Sequence, residues 1–537
     1  MPYTSPPRSV ESPGEFMIQE SPSPTDEITS PKVTEGFPAS LGDDRDGDCV
    51  RLVTSPNLSE IVEDDSSYDV NDAIEKAGWG WYQNKVLFVI GIMSFADCAE
   101  IWLATVIIKD LKCEWDLTSF EKSMIPAVVY FFYAFGSMTS GYFSDKFGRY
   151  WVLLINSYAL IFSGVLSAFA TNYYFFIFCR SVAGFCIGGN YACSIVYAQE
   201  IMPAKLRSLN IFYLAMYWTL GSLYECFIAI FIMQLDDGWR YQILLTALPI
   251  AVMLVAMHFM DESPRYLVIN NRKEEAQKVL EKICRDNKVE VIKGDLCVHD
   301  ERSGEFLDVW AKPNTCESLI ITIHFICNMF LVFGISMLIP DAMSYNYCGL
   351  DMWFDTTYTN EDNCTVYTWA EYVFMMITAI IFIPGMILAT WLAEFIGRRM
   401  TFMVSIFGGA IFSVALIVCI NSYLTYVIFL GAAFFYAAYN EVLWIYTPEF
   451  YATYMRGTAC GIQNGIGKLG AAAGTFLTTY LDEYGVIYSI YCFIGVQLIA
   501  CVTVLFMNRE TVGQNLQDSR LNENTPIKEI GEAYGTE

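Results

Sequence analysis

Twelve long apolar stretches divide this chain of 537 residues, and each is long enough to cross a bilayer as a helix. Hydrophobic residues make up 54% of the chain and charged residues only 17%, a balance typical of polytopic membrane proteins. The sequence therefore predicts an all-α membrane protein with twelve transmembrane helices. The stretches begin near residues 86, 123, 151, 173, 209, 241, 317, 369, 400, 424, 457 and 486.

Basic residues concentrate in the loops that follow the second, fourth, eighth and tenth stretches. Cytoplasmic loops of membrane proteins carry this excess, so we expect both termini to be cytoplasmic. Three lysines in the first loop of the opposite face, Lys109, Lys112 and Lys122, are exceptions to the pattern. The basic residues that set the orientation are Lys146, Arg149, Lys205, Arg207, Arg398, Arg399 and Arg456.

The segments outside the stretches differ in composition. Residues 1–85 hold 17 acidic and 6 basic residues and are rich in proline and serine, which predicts a disordered acidic cytoplasmic tail able to bind cytoplasmic partners. Residues 261–316 predict a cytoplasmic connecting loop with an amphipathic helix, because Ala276, Val279, Leu280 and Ile283 follow helical spacing. The remaining predicted segments are six-helix bundles at 86–260 and 317–507 and a cytoplasmic C-terminal tail at 508–537.

An acidic outer loop is predicted at residues 341–368. Asn363 lies in the sequence Asn-Cys-Thr, which is an acceptor site for N-glycosylation. Cys348 and Cys364 lie in the same loop and are predicted to form a disulfide, with Cys113 of the first outer loop as a competing partner.

Two motifs recur at a single offset of 249 residues. GYFSDKFGRY aligns with TWLAEFIGRR, and YAQEIMPAKLR aligns with YTPEFYATYMR. Two motifs at one offset indicate a duplicated six-helix unit with both copies in the same orientation, as in transporters. The paired acids and arginines predict cytoplasmic ion pairs that break and form again as the copies move; positive anchors beside ordinary turn residues are the alternative. The aligned residues are Asp145 and Glu394, Gly148 and Gly397, Arg149 and Arg398, Glu200 and Glu449, and Arg207 and Arg456.

Five ionisable residues lie inside apolar stretches: Asp97, Glu100, Arg180, Glu225 and Lys468. Charges within the bilayer are costly and usually face a protein interior or a watery path, so we assign them to a substrate or proton path. Structural charges that fix helix packing are the alternative. At 1.5 Å per residue, Glu100, Arg180 and Glu225 lie at roughly 10–12 Å depth, which predicts that they meet in one layer. Asp97 lies one turn deeper, at about the level of Lys468.

Polar and aromatic residues elsewhere in the stretches are further candidates for the substrate path. Ring faces that wall a cavity suit organic cations. For the aromatic residues the alternative is packing, and for Glu441 it is a side chain that reaches the membrane interface. These candidates are Tyr217, Trp218, Asn440, Glu441 and Trp444.

The chain contains few of the residues and motifs from which enzyme active sites are built. It has three widely separated histidines and no CxxC, HExxH, P-loop or GxGxxG motif. We therefore expect no enzyme activity, metal or cofactor, and no nucleic acid partner; membrane lipid and a small substrate are the expected partners.

Several motifs together resemble the major facilitator superfamily from about residue 80 to residue 510. FGRY, RSVAGFCIGG with Arg180, Gly184 and Gly188, and DESPRYL are similar to the sugar-porter side of that superfamily. The fifth and seventh stretches lack the glutamines with which such porters hold sugar hydroxyls. YDVNDAIEKAGWGWYQNKVLFVIG, ADCAEIW, LKCEWDL and GIGKLGA most resemble the branch of the synaptic-vesicle-two-related proteins and synaptic vesicle glycoprotein two. The resemblance implies a transporter-like protein of the organic-ion branch in a vesicle or plasma membrane.

Three functions fit these patterns. The first is secondary-active transport of a small organic ion by alternating access, coupled to protons. The second is a transporter fold that mainly binds partners on vesicles through the acidic tail and the glycosylated loop. The third, facilitative sugar transport, is disfavoured by the missing glutamines.

Overall fold

The structure is a computed structural model that describes residues 68–203, 207–291, 294, 296, 309–310, 315–344, 347–348, 366–418, 421–451 and 456–507. The predicted glycosylation site Asn363, the thiol of Cys364 and residues 1–67 and 508–537 lie outside the described residues. The helices of the described part are α1 (Val70–Ala77), α2 (Trp81–Trp115), α3 (Ser119–Phe147), α4 (Arg149–Ala168), α5 (Tyr173–Ile201), α6 (Arg207–Ile232), α7 (Gly238–Met257), α8 (Pro264–Ile269), α9 (Lys273–Asp286), α10 (Thr315–Ser344), α11 (Trp369–Ile396), α12 (Arg398–Ala415), α13 (Ser422–Phe450), α14 (Arg456–Leu481) and α15 (Val486–Val504).

Twelve of these helices are long, and they coincide with the twelve predicted spans. Nine of them, within the described residues, are long and apolar enough to cross a membrane on length and composition. The other three are α3, α12 and α14. Helices α3 and α14 pack against each other, so their small and polar residues face protein rather than lipid.

The twelve long helices form two halves, α2–α7 and α10–α15, that repeat the same contacts. Each copy of the duplicated unit has an asparagine that caps a helix and a glycine that touches a carbonyl of a neighbouring helix. A side chain larger than hydrogen does not fit at either glycine, since a Cβ atom there would lie 2.0 Å and 2.6 Å from the oxygen. The backbone N–H of Phe175 donates to the side chain of Asn172, and that of Leu424 donates to the side chain of Asn421. Gly136 lies against the carbonyl oxygen of Phe185, and Gly385 lies against that of Phe434. All follow the offset of 249 residues, so the duplication predicted from the two motifs extends through both halves.

The two halves meet along two helix pairs, α3 with α14 and α6 with α11. We call the end of the bundle that carries Gly148 and Gly397 the motif end. The opposite end, which carries Lys109 and Lys122, is the lysine end.

Helix α1 corrects the prediction that residues 1–85 are disordered. Asp69 caps this helix, which buries Val70, Ala73, Ile74 and Ala77. These residues follow the i, i+3, i+4, i+7 pattern of one apolar helix face, and α1 packs on α9 of the connection between the halves. The prediction rested on the composition of the whole segment, which favours disorder, and that average does not reveal one short apolar helix face.

Helix α9 holds the connection against the first half at the motif end. It buries Ala276, Leu280 and Ile283, while Lys282 donates to the carboxylate of Asp261 at 2.7 Å. Directly after the helix, Asn287 accepts a hydrogen bond from the backbone N–H of Tyr82 at the start of α2. The connection is thereby fixed to the base of the first half.

Candidate functional site

A cavity lies between the two halves near the middle of the bundle. The first half contributes Tyr191 and Trp218, and the second contributes Glu441, Trp444 and Lys468. Its volume of about 110 Å³ has room for several water molecules, because one water molecule needs roughly 10–15 Å³ of such a cavity. The cavity is therefore of the right size for a small molecule.

The cavity extends toward the motif end. Its wall includes Gln199 and Pro448, which directly precede Glu200 and Glu449 of the duplicated motif. At the other side the wall ends at Ser336, which lies five residues before Asp341 along α10. At 1.5 Å per residue, that leaves roughly 7 Å of packed helix between the cavity and the lysine end.

The lysine end is closed by ion pairs that join the two halves. Lys122 of α3 donates to Asp482, which follows α14, at 2.8 Å, and both side chains are buried. Lys109 of α2 lies 3.8 Å from Asp341 of α10, and these side chains are also buried. The Tyr367 hydroxyl donates to Asp341 at 2.9 Å, and the Lys109 ammonium lies over the Tyr367 ring at 4.1 Å. Four charges of alternating sign therefore hold the halves together at this end.

At the motif end, the ion pairs between described side chains stay within one half. Arg149 binds Asp145 at 2.9 Å and Glu200 at 2.8 Å in the first half. In the second half Arg398 binds Glu394 and Glu449 in the same way, at 2.8 and 3.0 Å. Arg207 and Arg456 begin α6 and α14, and their side chains lie outside the described part.

Two glycines make the turns that place these arginines. Gly148 and Gly397 have φ angles of 98° and 94°, a region that side-chain-bearing residues rarely adopt. At Gly148 the space is also taken, because a Cβ atom would lie 2.3 Å from Glu262 Oε2. Glu262 accepts hydrogen bonds from the backbone N–H groups of Arg149 and Tyr150 at the start of α4. Burial raises the pKa of the Glu262 carboxyl, and these hydrogen bonds offset part of that rise.

Two of the three residues of the predicted charged layer contact each other, and the third, Glu225, lies close enough to interact electrostatically with both. Arg180 donates to the Glu100 carboxylate and to the Glu100 carbonyl, both at 2.7 Å, and both side chains are fully buried. The Glu225 carboxylate accepts instead from Gln242 at 2.7 Å and from Thr246 at 2.9 Å, both on α7. Glu100, Arg180 and Glu225 are not among the described residues that line the central cavity. They form a charged core inside the first half.

Asp97 lies in the same region with a different environment. It is fully buried, and neither carboxylate oxygen has a hydrogen-bond partner among the described residues. The amide of Asn190 on α5 lies beside Asp97 and is the polar side chain that faces it. In the described part of the chain, Asp97 therefore faces a neutral amide, and no lysine or arginine lies within 4.0 Å of its carboxylate.

The other sequence candidates divide between the cavity and the packing. Trp218, Asn440, Glu441, Trp444 and Lys468 line the cavity. Glu441 is 4% exposed, so it does not extend to the membrane interface. Tyr217 faces away from the cavity, and its ring packs on α2 at Gly91, where a Cβ atom would lie 2.5 Å from the ring.

Two cysteines of the lysine end are oxidised. Cys113 and Cys348 are both disulfide-bonded. Cys113 follows Lys112 in α2, and Cys348 follows α10, so both disulfide-bonded cysteines lie at the end that carries the buried ion pairs.

A family model described as sugar (and other) transporter matches residues 96–520, which is most of the chain. The chain belongs to this family of the major facilitator superfamily. It is therefore a multi-pass membrane transporter rather than an enzyme.

Individual relatives cover nearly the same region. The synaptic vesicle 2-related protein of Xenopus laevis is 28% identical over 85% of this chain and 83% of its own length. The organic cation/carnitine transporter 7 of Arabidopsis thaliana is 25% identical over 86% of this chain and 98% of its own. A crystal structure of a D-xylose–proton symporter has a TM-score of 0.61 at 16% identity and covers 81% of this chain and 100% of that chain. The last similarity establishes the fold alone.

Sequence reasoning missed the acids of the lysine end and part of the cavity wall. Asp341 and Asp482 were not candidates, although their lysine partners were recognised as exceptions to the charge pattern of the loops. That exception was the available signal, because lysines that break the charge pattern of the loops often have acidic partners. Tyr191 and Phe333 gave no signal, since an aromatic residue in an apolar stretch is ordinarily packing.

Proposed function

We propose that this transporter moves a small organic ion by alternating access and couples the movement to protons. In this proposal both termini are cytoplasmic, so the motif end faces the cytoplasm and the lysine end faces the opposite side. The observation that carries the proposal is the central cavity, which both halves line and which contains Lys468 and Glu441. A cavity that extends toward one end while buried ion pairs close the other corresponds to one of the two states that alternating access requires.

The charge of the cavity favours an ion over a sugar. Sugar binding needs several donors and acceptors for hydroxyl groups, whereas a buried ammonium and a buried carboxylate in an aromatic wall favour charged groups. The plant relative is named for organic cations and carnitine, which agrees with this preference.

Asp97 is the residue that we assign to proton coupling. It is buried on α2, and no lysine or arginine of the described part lies within 4.0 Å of its carboxylate, so a change in the packing of the halves would give it a different environment. Glu100 and Glu225 have polar partners in the first half, so we assign them to packing of that half.

Purified protein in liposomes tests both parts of the proposal. We expect a panel of labelled organic ions to include at least one that accumulates under an imposed pH gradient. Asp97→Asn should retain exchange of that ion across the membrane and lose the accumulation, because a neutral amide cannot carry the proton.

Glu225→Gln is the matched control, since glutamine keeps an acceptor for the Gln242 and Thr246 donors. Accumulation by Asp97→Asn together with its loss in Glu225→Gln and Glu100→Gln would assign the proton to the charged core instead. Uptake of no ion at all would contradict the transport function.

A further inference from the structure

Lys468 is a buried cation enclosed by aromatic rings. Its ammonium lies 4.3 Å from the ring centre of Phe333, 4.7 Å from that of Tyr133 and 5.5 Å from that of Trp218. Only 3% of the residue is exposed, and no carboxylate of a described residue lies within 4.0 Å of the ammonium. Ring faces attract an ammonium without neutralising its charge. An anion that entered the cavity could therefore form an ion pair with the Lys468 ammonium.

Glu441 is the complementary group in the same wall. Its carboxylate accepts one long hydrogen bond, 3.5 Å from the Thr390 hydroxyl, and no lysine or arginine of the described part lies within 4.0 Å of it. Glu441 and Lys468 are the two charged residues among the described residues that line the cavity. The cavity therefore has one site for an anionic group and one for a cationic group.

The two charges lie at different depths on neighbouring helices. Glu441 is nine residues before the end of α13, and Lys468 is twelve residues after the start of α14. Measured from the motif end, these positions correspond to depths of roughly 14 Å and roughly 18 Å at 1.5 Å per residue. The charges do not contact each other, so each is available to a ligand.

Aromatic rings connect the two positions. Trp218, which faces Lys468, lies 5.4 Å from Tyr191, and Tyr191 lies 6.1 Å from Trp444. Trp444 follows Glu441 by less than one turn of α13. A cationic group bound at Glu441 would therefore also contact ring faces, which stabilise ammonium groups most when water is excluded.

We propose that the substrate is a small zwitterion whose carboxylate pairs with Lys468 and whose ammonium group pairs with Glu441. This inference rests on the proposed transport function and names its substrate class. A simple cation would leave Lys468 uncompensated and a simple anion would leave Glu441 uncompensated, so each would bind less tightly than a molecule with both charges.

Three probes of equal size separate the charge classes. The zwitterion is 4-(trimethylammonio)butanoate, the cation is trimethyl(4-methylpentyl)ammonium, in which methyl groups replace the carboxylate oxygens, and the anion is 5,5-dimethylhexanoate, in which carbon replaces the quaternary nitrogen. Shorter zwitterions with one and two methylene groups between the charges test the spacing. Binding is measured by thermal stabilisation of the purified transporter and by uptake into liposomes, and we expect at least one zwitterion to bind at least tenfold more tightly than the matched cation and anion.

Charge-neutralising variants give an independent result. Lys468→Gln should shift the preference toward the cation, and Glu441→Gln should shift it toward the anion, each by at least tenfold. Lys273→Gln, on the exposed face of α9, removes one positive charge far from the cavity and should change neither preference. The unfolding temperature of each variant shows whether it has retained its fold.

Two results would overturn the inference while leaving transport intact. One is tighter binding or faster uptake of the cation or the anion than of every zwitterion. The other is an unchanged charge preference in folded Lys468→Gln and Glu441→Gln. Absence of binding by all three classes in protein that also transports no other ion would overturn the inference and the proposed function together.

Discussion

The two ends of the bundle use the same types of side chain in opposite ways. At the motif end, Arg149 and Arg398 bind acids of their own half. At the lysine end, Lys109 and Lys122 bind acids of the other half. Pairs within one half can persist while the halves move, whereas pairs between the halves must break when that end opens. The comparison indicates that the lysine end is the end that the structure holds closed.

Burial increases this difference. Asp145 and Glu394 at the motif end are 64% and 69% exposed, so water screens their charges. The side chains of Lys122 and Asp482 are 3% and 1% exposed, and a buried charge that loses its partner is strongly disfavoured. We therefore expect substitutions at the lysine end to shift the conformational equilibrium and substitutions at the motif end to destabilise one half.

The largest effect is expected for Lys122→Met. Loss of the ammonium leaves Asp482 buried without its partner, which costs the closed lysine end on the order of 3–5 kcal/mol. The transporter should shift to the state in which this end is open, and a cysteine introduced at Ser336 in the cavity should react faster with a reagent applied from that side. The double variant Lys122→Met/Asp482→Leu removes both charges and should recover most of the slow reaction. Equal reactivity in wild type and Lys122→Met would show that this pair does not hold the end closed.

A smaller and different effect is expected for Arg149→Ala. Its guanidinium binds Glu200 and the Ser144 carbonyl, and loss of such charged hydrogen bonds costs about 1.5–3 kcal/mol. The unfolding temperature should fall, while the reactivity of the cysteine at position 336 should stay near the wild-type value. Arg398→Ala is the matched variant in the second half, and it should be milder because Glu449 is more exposed than Glu200. A large rise in reactivity with either variant would contradict the assignment of these pairs to single halves.

The lysine end should respond to pH with a defined sign. Burial raises the pKa of Asp482 from 3.8 to about 6; Asp341 on α10 adds to the rise, and Lys122 on α3 and Lys109 on α2 oppose it. A closed end in which the pKa is raised binds the proton more tightly than an open, hydrated one. The closed population should therefore increase as the pH falls from 6 toward 4, by at most about 1.4 kcal/mol per unit. Asp482→Asn should remove this dependence, and an unchanged slope in that variant would assign the titration to another group.

The smallest effect is expected for Lys112→Gln. Lys112 lies 3.8 Å from Glu483 at the lysine end, but the two side chains are 33% and 49% exposed. Exposed pairs contribute roughly 0–1 kcal/mol, so both the unfolding temperature and the cysteine reactivity should remain near wild type. An effect as large as that of Lys122→Met would show that burial does not distinguish the pairs.

Periodicity and charge in the sequence predict the fold well, because apolar length and a repeated motif are local properties. The twelve helices and the duplication follow from them. The contact of Glu100 with Arg180 also follows from counting depth along two helices. Depth does not specify the direction in which a side chain points, so the pairing of Glu225 with α7 rather than with Arg180 was not predictable.

Contacts between the halves depend on packing that a single sequence does not show. Lys122 and Asp482 are 360 residues apart, and nothing near either one indicates the other. The separation of Lys468 and Glu441 from acidic and basic partners is likewise a property of how α13 and α14 face the cavity. The sequence identified Lys468 and Glu441 as candidates because they are charged residues in apolar stretches, but it did not identify Asp482, and only the structure shows what each of these side chains faces.

Distances between spin labels test the central comparison most directly. Labels at exposed Phe120 and Tyr484 report the separation of the halves at the lysine end, and labels at exposed Phe147 and Phe395 report it at the motif end. For the wild type we predict a single short distance at the lysine end. In Lys122→Met that distance should lengthen while the motif-end distance shortens. A lysine-end distance that stays the same in Lys122→Met, or that lengthens without any change at the motif end, would contradict the account.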